Sequence, residues 1–82
     1  MIHELKTIQP FFEEVWCNRK TFELRRNDRG FKVGDILKLF EYDIETNKYS
    51  GRYCFVEVIS ILENFPGIQS DYCIMSIRMK NK

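Results

Sequence analysis

Four residues in one short stretch have the types and spacing to do chemistry together: Lys20, Thr21, Glu23 and Arg25. On an extended chain successive side chains alternate between two faces, so Thr21, Glu23 and Arg25 project from one side, with Lys20 at the strand's entrance. The row sets a hydroxyl, a carboxylate and a guanidinium side by side. Turned into the mouth of a barrel, these groups would converge on a partly desolvated cleft. There a carboxylate can accept from a base amino group, and Arg or Lys can engage phosphate. The same spacing also suits an exposed Glu23–Arg25 ion pair, worth about a few tenths of a kcal/mol.

The residues around this row favour anions. Arg19, Lys20, Arg25, Arg26, Arg29 and Lys32 fall in one stretch whose only acids are Glu23 and Asp28. The whole chain carries a formal charge of +1, so a local basic patch sits on a nearly neutral protein. That pattern suits selective binding better than bulk attraction of polyanions. The cysteines, Cys17, Cys54 and Cys73, are odd in number and form no CxxC pair, and there is one histidine, His3. A zinc site wants four ligands at short spacings, so neither a metal nor another cofactor is expected. Cys54 and Cys73 fall in strand patterns and read as small buried hydrophobes. No apolar run approaches the ~18 residues of a membrane span. The opening Met1–Lys6 lacks the layout of a signal peptide, which leads to the expectation of a soluble cytoplasmic domain.

The elements that must position the row follow from periodicity. With 82 residues, 44% of them hydrophobic, the chain supports one core and one domain, 1–82. Glu4–Ile8 reads as an opening strand ended by Pro10, a residue suited to the first turn of a helix. Phe11, Phe12, Val15 and Trp16 recur at helical spacing opposite Glu13 and Glu14, predicting about two turns of core-facing helix. Asn18 stands where a left-handed cap would close it. Thr21–Arg26, Ile36–Tyr42, Tyr53–Leu62 and Tyr72–Met79 read as further strands. They are separated by turns at Asn27–Gly30, Val33–Asp35, Asp43–Ser50 and Glu63–Gly67. The near-continuous apolar character of the last two predicts strands buried on both faces. About five strands with one short helix after the first fit a small open β-barrel, mainly β with α.

The segment Asn18-Arg19-Lys20-Thr21-Phe22-Glu23-Leu24-Arg25 resembles the GxKxxExR motif of activating signal cointegrator homology (ASCH) domains, which belong to the PUA-like barrels. The resemblance extends to His3-Glu4-Leu5-Lys6, the short helix, Asn27-Asp28-Arg29, Phe31-Lys32-Val33-Gly34-Asp35 and Ile61-Leu62-Glu63-Asn64-Phe65-Pro66-Gly67. That order is similar to a small stand-alone bacterial and phage branch of unknown function. It implies a PUA-like barrel with an RNA-binding cleft in which Lys20, Glu23 and Arg25 match the motif. Asn18 replaces the motif's glycine, and His3 joins the candidate cleft residues. The expected ligand is RNA or a nucleotide, bound by Lys20, Thr21, Glu23 and Arg25 with Arg19, Arg26, Arg29, Lys32 and His3. Tyr49 and Tyr72 are the better stacking candidates, ahead of Phe31 and Phe65. Some relatives in the group are amidohydrolases acting on acetylated cytidine and others have been proposed as ribonucleases; in either case Lys20 and Glu23 would carry the catalysis. The hydrolase pattern places a Thr where this chain has Glu23, which removes the expected nucleophile. Its later-strand Glu corresponds to Glu57 or Glu63. A protein-interaction module of a mobile element is the third reading, one that would not depend on Lys20 or Glu23.

Overall fold

A computed structural model describes residues 1–82. Alternation of apolar and polar residues sets the strands: β1 (Ile2–Thr7), β2 (Phe22–Arg26), β3 (Ile36–Asp43), β4 (Lys48–Glu63) and β5 (Tyr72–Asn81), with one helix, α1 (Phe11–Trp16), after β1. They form a single sheet in the order β1-β3-β4-β5-β2. β3, β4 and β5 make an antiparallel meander, β2 pairs antiparallel with β5, and β1 pairs parallel with β3. The sheet curls into an open half-barrel. Its two outer strands, β1 and β2, are bridged by side chains rather than by a backbone ladder.

One face of every strand lines the concave core. Leu5, Leu37, Leu39, Cys54, Val56, Val58, Cys73, Met75 and Ile77 are buried there, and Phe12 and Val15 of α1 cover them. Trp16 packs against this cluster and stacks at a tilt on Phe12, 5.7 Å between centroids. Arg52 reaches in beside them, 5.2 Å over the Phe12 ring, and clasps Glu13 and Glu41 at 3.0 Å each. The helix is thereby tied to both β3 and β4 by packing and charge. No helix is long and apolar enough to cross a membrane.

Several strand readings shift: β1 spans Ile2–Thr7 rather than Glu4–Ile8, and β5 continues past Met79 to Asn81. β4 is longer than Tyr53–Leu62, because the β3–β4 ladder continues past a register shift after Phe40 to Tyr42↔Tyr49 and Asp43↔Lys48. Gly51, at φ +100°, sits in the extra residues of that bulge, where a left-handed backbone favours glycine. β4 and β5 are buried on the inner face only. Their outward residues, such as Tyr53, Phe55 and Ile74, are half-buried or exposed, because no second layer covers the convex side. The segment between β2 and β3 crosses from the β2 edge of the sheet to β3, next to the opposite edge strand β1. It is pinned by buried Phe31, by Gly34 donating to the Val58 carbonyl and by Val58 donating to that of Asp35.

Candidate functional site

Glu23 lies on the concave face of β2, so its carboxylate is buried, 3% exposed. A buried carboxylate needs partners on both oxygens, and the chain supplies them locally. Lys20 Nζ donates to Oε1 at 2.9 Å and Arg25 Nε to Oε2 at 2.9 Å. The exposed ion-pair geometry is thus excluded for Glu23.

The helix end determines how Lys20 arrives there. Asn18 takes φ +60°, its N–H donates to the Val15 carbonyl, and Arg19 N–H donates to that of Glu14. This is a Schellman closure with Asn in the left-handed position. Lys20 N–H adds a third bond to the Glu14 carbonyl at 2.9 Å, so the backbone entering β2 is held from both sides. Lys20 Nζ also donates to the Phe22 carbonyl and lies 4.9 Å over the Phe22 ring. Arg25 reaches across the opening of the half-barrel, where Nη2 donates to the Lys6 carbonyl at 2.9 Å and to Thr7 Oγ1 at 3.4 Å.

These groups sit at a cleft of about 610 Å³ between β1, α1 and β2. Its walls are the end of β1 (Lys6, Thr7) and Ile8 just after it, Phe11 and Glu14 of α1, Arg19, Lys20, and Phe22–Arg25. Arg19, Lys20 and Arg25 face it against two acids, Glu14 and Glu23, while Lys6 borders it with its ammonium turned to Tyr42. Lys20 and Arg25 are 14% and 27% exposed at their side chains, enough to meet a ligand while remaining anchored. One ammonium proton of Lys20 and both Nη1 protons of Arg25 have no partner in the protein. An anion at the cleft could receive all three.

Of the residues singled out in the sequence, Arg19, Lys20, Glu23 and Arg25 come together in the cleft. Thr21 and Lys32 are exposed and lie outside its walls, while Arg26 lies 6.0 Å over Tyr72. Arg29 turns to the same seam and donates to the Glu4 carbonyl at 2.9 Å. His3 is buried on the concave face, its Nε2 2.8 Å from Asp35 Oδ2 and its ring edge-on to Phe31. His3 is not among the cleft walls, and its bond to Asp35 supports the bend before β3. Asp35 is held below the usual carboxylate range, chiefly by His3, against the opposing effect of burial. Phe31 is core, and Tyr49 lies on the outer face. Glu57 is held by Arg78 on the convex side and Glu63 accepts from Asn27, so neither reaches the cleft.

The sequence reading puts Phe11 in the core-facing stripe and gives Phe22 no site role, whereas both are half-exposed rings on the cleft rim. Phe22 was legible: once Glu23 faces inward, its neighbour must face out. Phe11 was hidden because Phe12, Val15 and Trp16 already fill the buried stripe of so short a helix. Lys6 and Thr7 enter only through the parallel placement of β1.

Residues 2–77 match the family model described as Domain of unknown function (DUF3850). The chain belongs to the DUF3850 family. No curated protein matches it. The match of this DUF3850 domain covers every cleft residue. Elsewhere in the domain, no group of three or more His, Cys, Asp or Glu side chains is placed to hold a metal ion. Burial, with a smaller contribution from the charge of Glu23, pushes the Cys54 thiol up to about 11, which keeps it protonated and inert at neutral pH.

Proposed function

We infer that the domain binds RNA or a nucleotide in the cleft, with a phosphate on Lys20 and Arg25 and a base against Phe11 or Phe22. The observation that carries this reading is the pair of cations aimed by one buried carboxylate while three of their N–H groups stay unspent. Neutral N–H groups bind phosphate weakly; fixed cations do so with charge-assisted bonds and little entropy left to lose. Rings half-exposed beside them offer apolar faces to any base. The resemblance of Asn18–Arg25 to the ASCH motif supports the same assignment, and a small open half-barrel is compatible with the PUA-like fold that this resemblance implies.

The arrangement suits binding better than turnover. Both oxygens of Glu23 already receive cations, so neither stands free as a general base. The Thr21 hydroxyl lies outside the cleft walls, so Lys20 has no nucleophile of that kind to activate. The cytoplasm is the proposed location, a reducing compartment in which the exposed Cys17 thiol and two buried ones stay free.

The test is an amide NMR titration with nucleoside monophosphates, acetylated cytidine and short RNA hairpins. Shifts should cluster at Asn18–Arg25, and Lys20→Ala or Arg25→Ala should weaken the best ligand by at least about tenfold. Shifts that survive both substitutions, or none with any ligand, would move the reading to a protein partner.

A further inference from the structure

The convex face of β1, β3 and β4 carries a second set of groups that the cleft does not use. Phe40, Tyr42, Tyr49, Tyr53 and Phe55 form one connected aromatic cluster there. Tyr42 meets Tyr49 edge-on at 4.9 Å, Phe40 contacts both Tyr49 and Tyr53, and Tyr53 meets Phe55 at 5.8 Å. Tyr49 and Tyr53 remain 54% and 41% exposed. Two lysines lie on these rings: Lys38 at 4.4 Å over Tyr53 and Lys6 at 4.5 Å over Tyr42. Neither forms a salt bridge with a carboxylate.

The strand register ties this face to the cleft. Lys6, Phe40 and Tyr53 stand in one row across three adjacent strands, so Lys6 and Tyr53 are two strand spacings, roughly 10 Å, apart. A smaller groove along the edge of β1 is lined by Arg25, Arg29, Lys6, Phe40 and Tyr49, with Glu4 its one acid. It shares Lys6 and Arg25 with the cleft. Three cations against one acid therefore line the way from the cleft, over the β1 edge, to the aromatic face.

We propose that this face is a stacking platform for single-stranded nucleic acid, continuing the path of a strand whose first phosphate sits in the cleft. The proposal rests on the cleft reading and extends it from a nucleotide to an oligonucleotide of about four or more residues. Exposed rings supply sequence-tolerant stacking, and Lys38 and Lys6 can swing from the rings to phosphates as bases replace them. A second copy of the chain is the poorer occupant: a two-fold contact through this face would press its unpaired lysines against their own counterparts. The acids nearby do not reverse the sign. Glu57 is tied to Arg78 and Lys80, Asp43 lies at the β3–β4 hairpin, and Glu4, opposite Lys38 in the β1–β3 register, forms no salt bridge with it and is outnumbered by Lys6, Arg25 and Arg29 in the groove.

The experiment measures anisotropy of labelled oligouridylates from two to ten residues, alongside NMR shifts with uridine monophosphate. Affinity should rise at least about tenfold between two and six residues. Tyr53→Ala and Lys38→Ala should each remove about tenfold from the long ligand. Both should leave the mononucleotide shifts at Lys20–Arg25 unchanged, and Tyr53→Phe should restore affinity because it keeps the ring. No gain with length, or variants that bind the long ligand as wild type does, would overturn the platform while leaving the cleft intact. A length-dependent gain that needs Tyr53, without mononucleotide shifts, would overturn the cleft reading and keep the platform. Self-association lost in Tyr53→Ala, with no oligonucleotide bound, would assign the face to a second copy.

Discussion

Glu23 is the residue on which the cleft depends, although it is the one least able to touch a ligand. Its buried carboxylate takes a cation on each oxygen, and each cation is thereby aimed at the opening. Replacing it with Gln keeps the volume, removes the charge and leaves Lys20 and Arg25 to repel one another. Because both cations retain some solvent, the cost should fall below that of a fully buried pair, about 2 kcal/mol by urea denaturation. Ligand affinity should drop as well, although Glu23 contributes no cation. Unchanged stability and affinity in Glu23→Gln would show that the carboxylate is a bystander. The motif named Lys20, Glu23 and Arg25 correctly as a cluster, because side chains two and three residues apart at a strand entrance are local. It was silent on direction: the role of Glu23 as anchor instead of ligand depends on which face of β2 the core takes. His3 shows the same limit, since only the fold reveals that Asp35 meets it.

At the scale of elements, α1 and its closure do two jobs, covering the core and delivering Lys20. Asn18, at φ +60°, should tolerate Gly with a change of about a few tenths of a kcal/mol, whereas Asn18→Val should cost about 1–2 kcal/mol by thermal melting. Equal stabilities would mean that the left-handed cap is dispensable. The other end of the helix depends on Glu41, whose carboxyl is held down at about 2, first by Arg52 and then by Ser50 and Gln9. A depressed acid stabilises the fold fully above its unfolded value of 4.5, and the contribution disappears as pH falls toward 2. Melting temperature should therefore fall by roughly 5 °C or more between pH 6 and pH 3. Arg52→Ala should flatten that slope; a slope unchanged in the variant would place the acid sensitivity elsewhere, with Asp35 the first alternative. Helix, cap and strands were legible because each is written in local periodicity. The bulge at Gly51 and the bare convex face were not, because they depend on register and on what packs against the sheet.

For the whole molecule the question is what keeps a half-barrel from opening. β1 pairs with β3 alone, and its other edge faces β2 across a seam with no backbone ladder. Two guanidinium groups bridge it: Arg25 to the Lys6 carbonyl and Arg29 to the Glu4 carbonyl, both at 2.9 Å. Alternate carbonyls on a strand point to the same side, so Glu4 and Lys6 present two evenly spaced acceptors to residues carried by, and just after, β2. The arginines thus cap an edge that would otherwise be free to pair with another chain. Each bridge should contribute about 1 kcal/mol, as a hydrogen bond with a charged donor does when part-exposed. Arg29 lies outside the proposed phosphate position, so Arg29→Ala separates latch from ligand binding. The variant should exchange β1 amide hydrogens faster than wild type, by up to about fivefold, while β4 and β5 remain protected. Nucleotide affinity in the cleft should stay within about twofold. Uniform protection in wild type and variant would mean that β3 pairing and the buried Leu5 alone hold β1. Acceleration across every strand would mean that β1 has no opening of its own, and that the half-barrel unfolds as one unit.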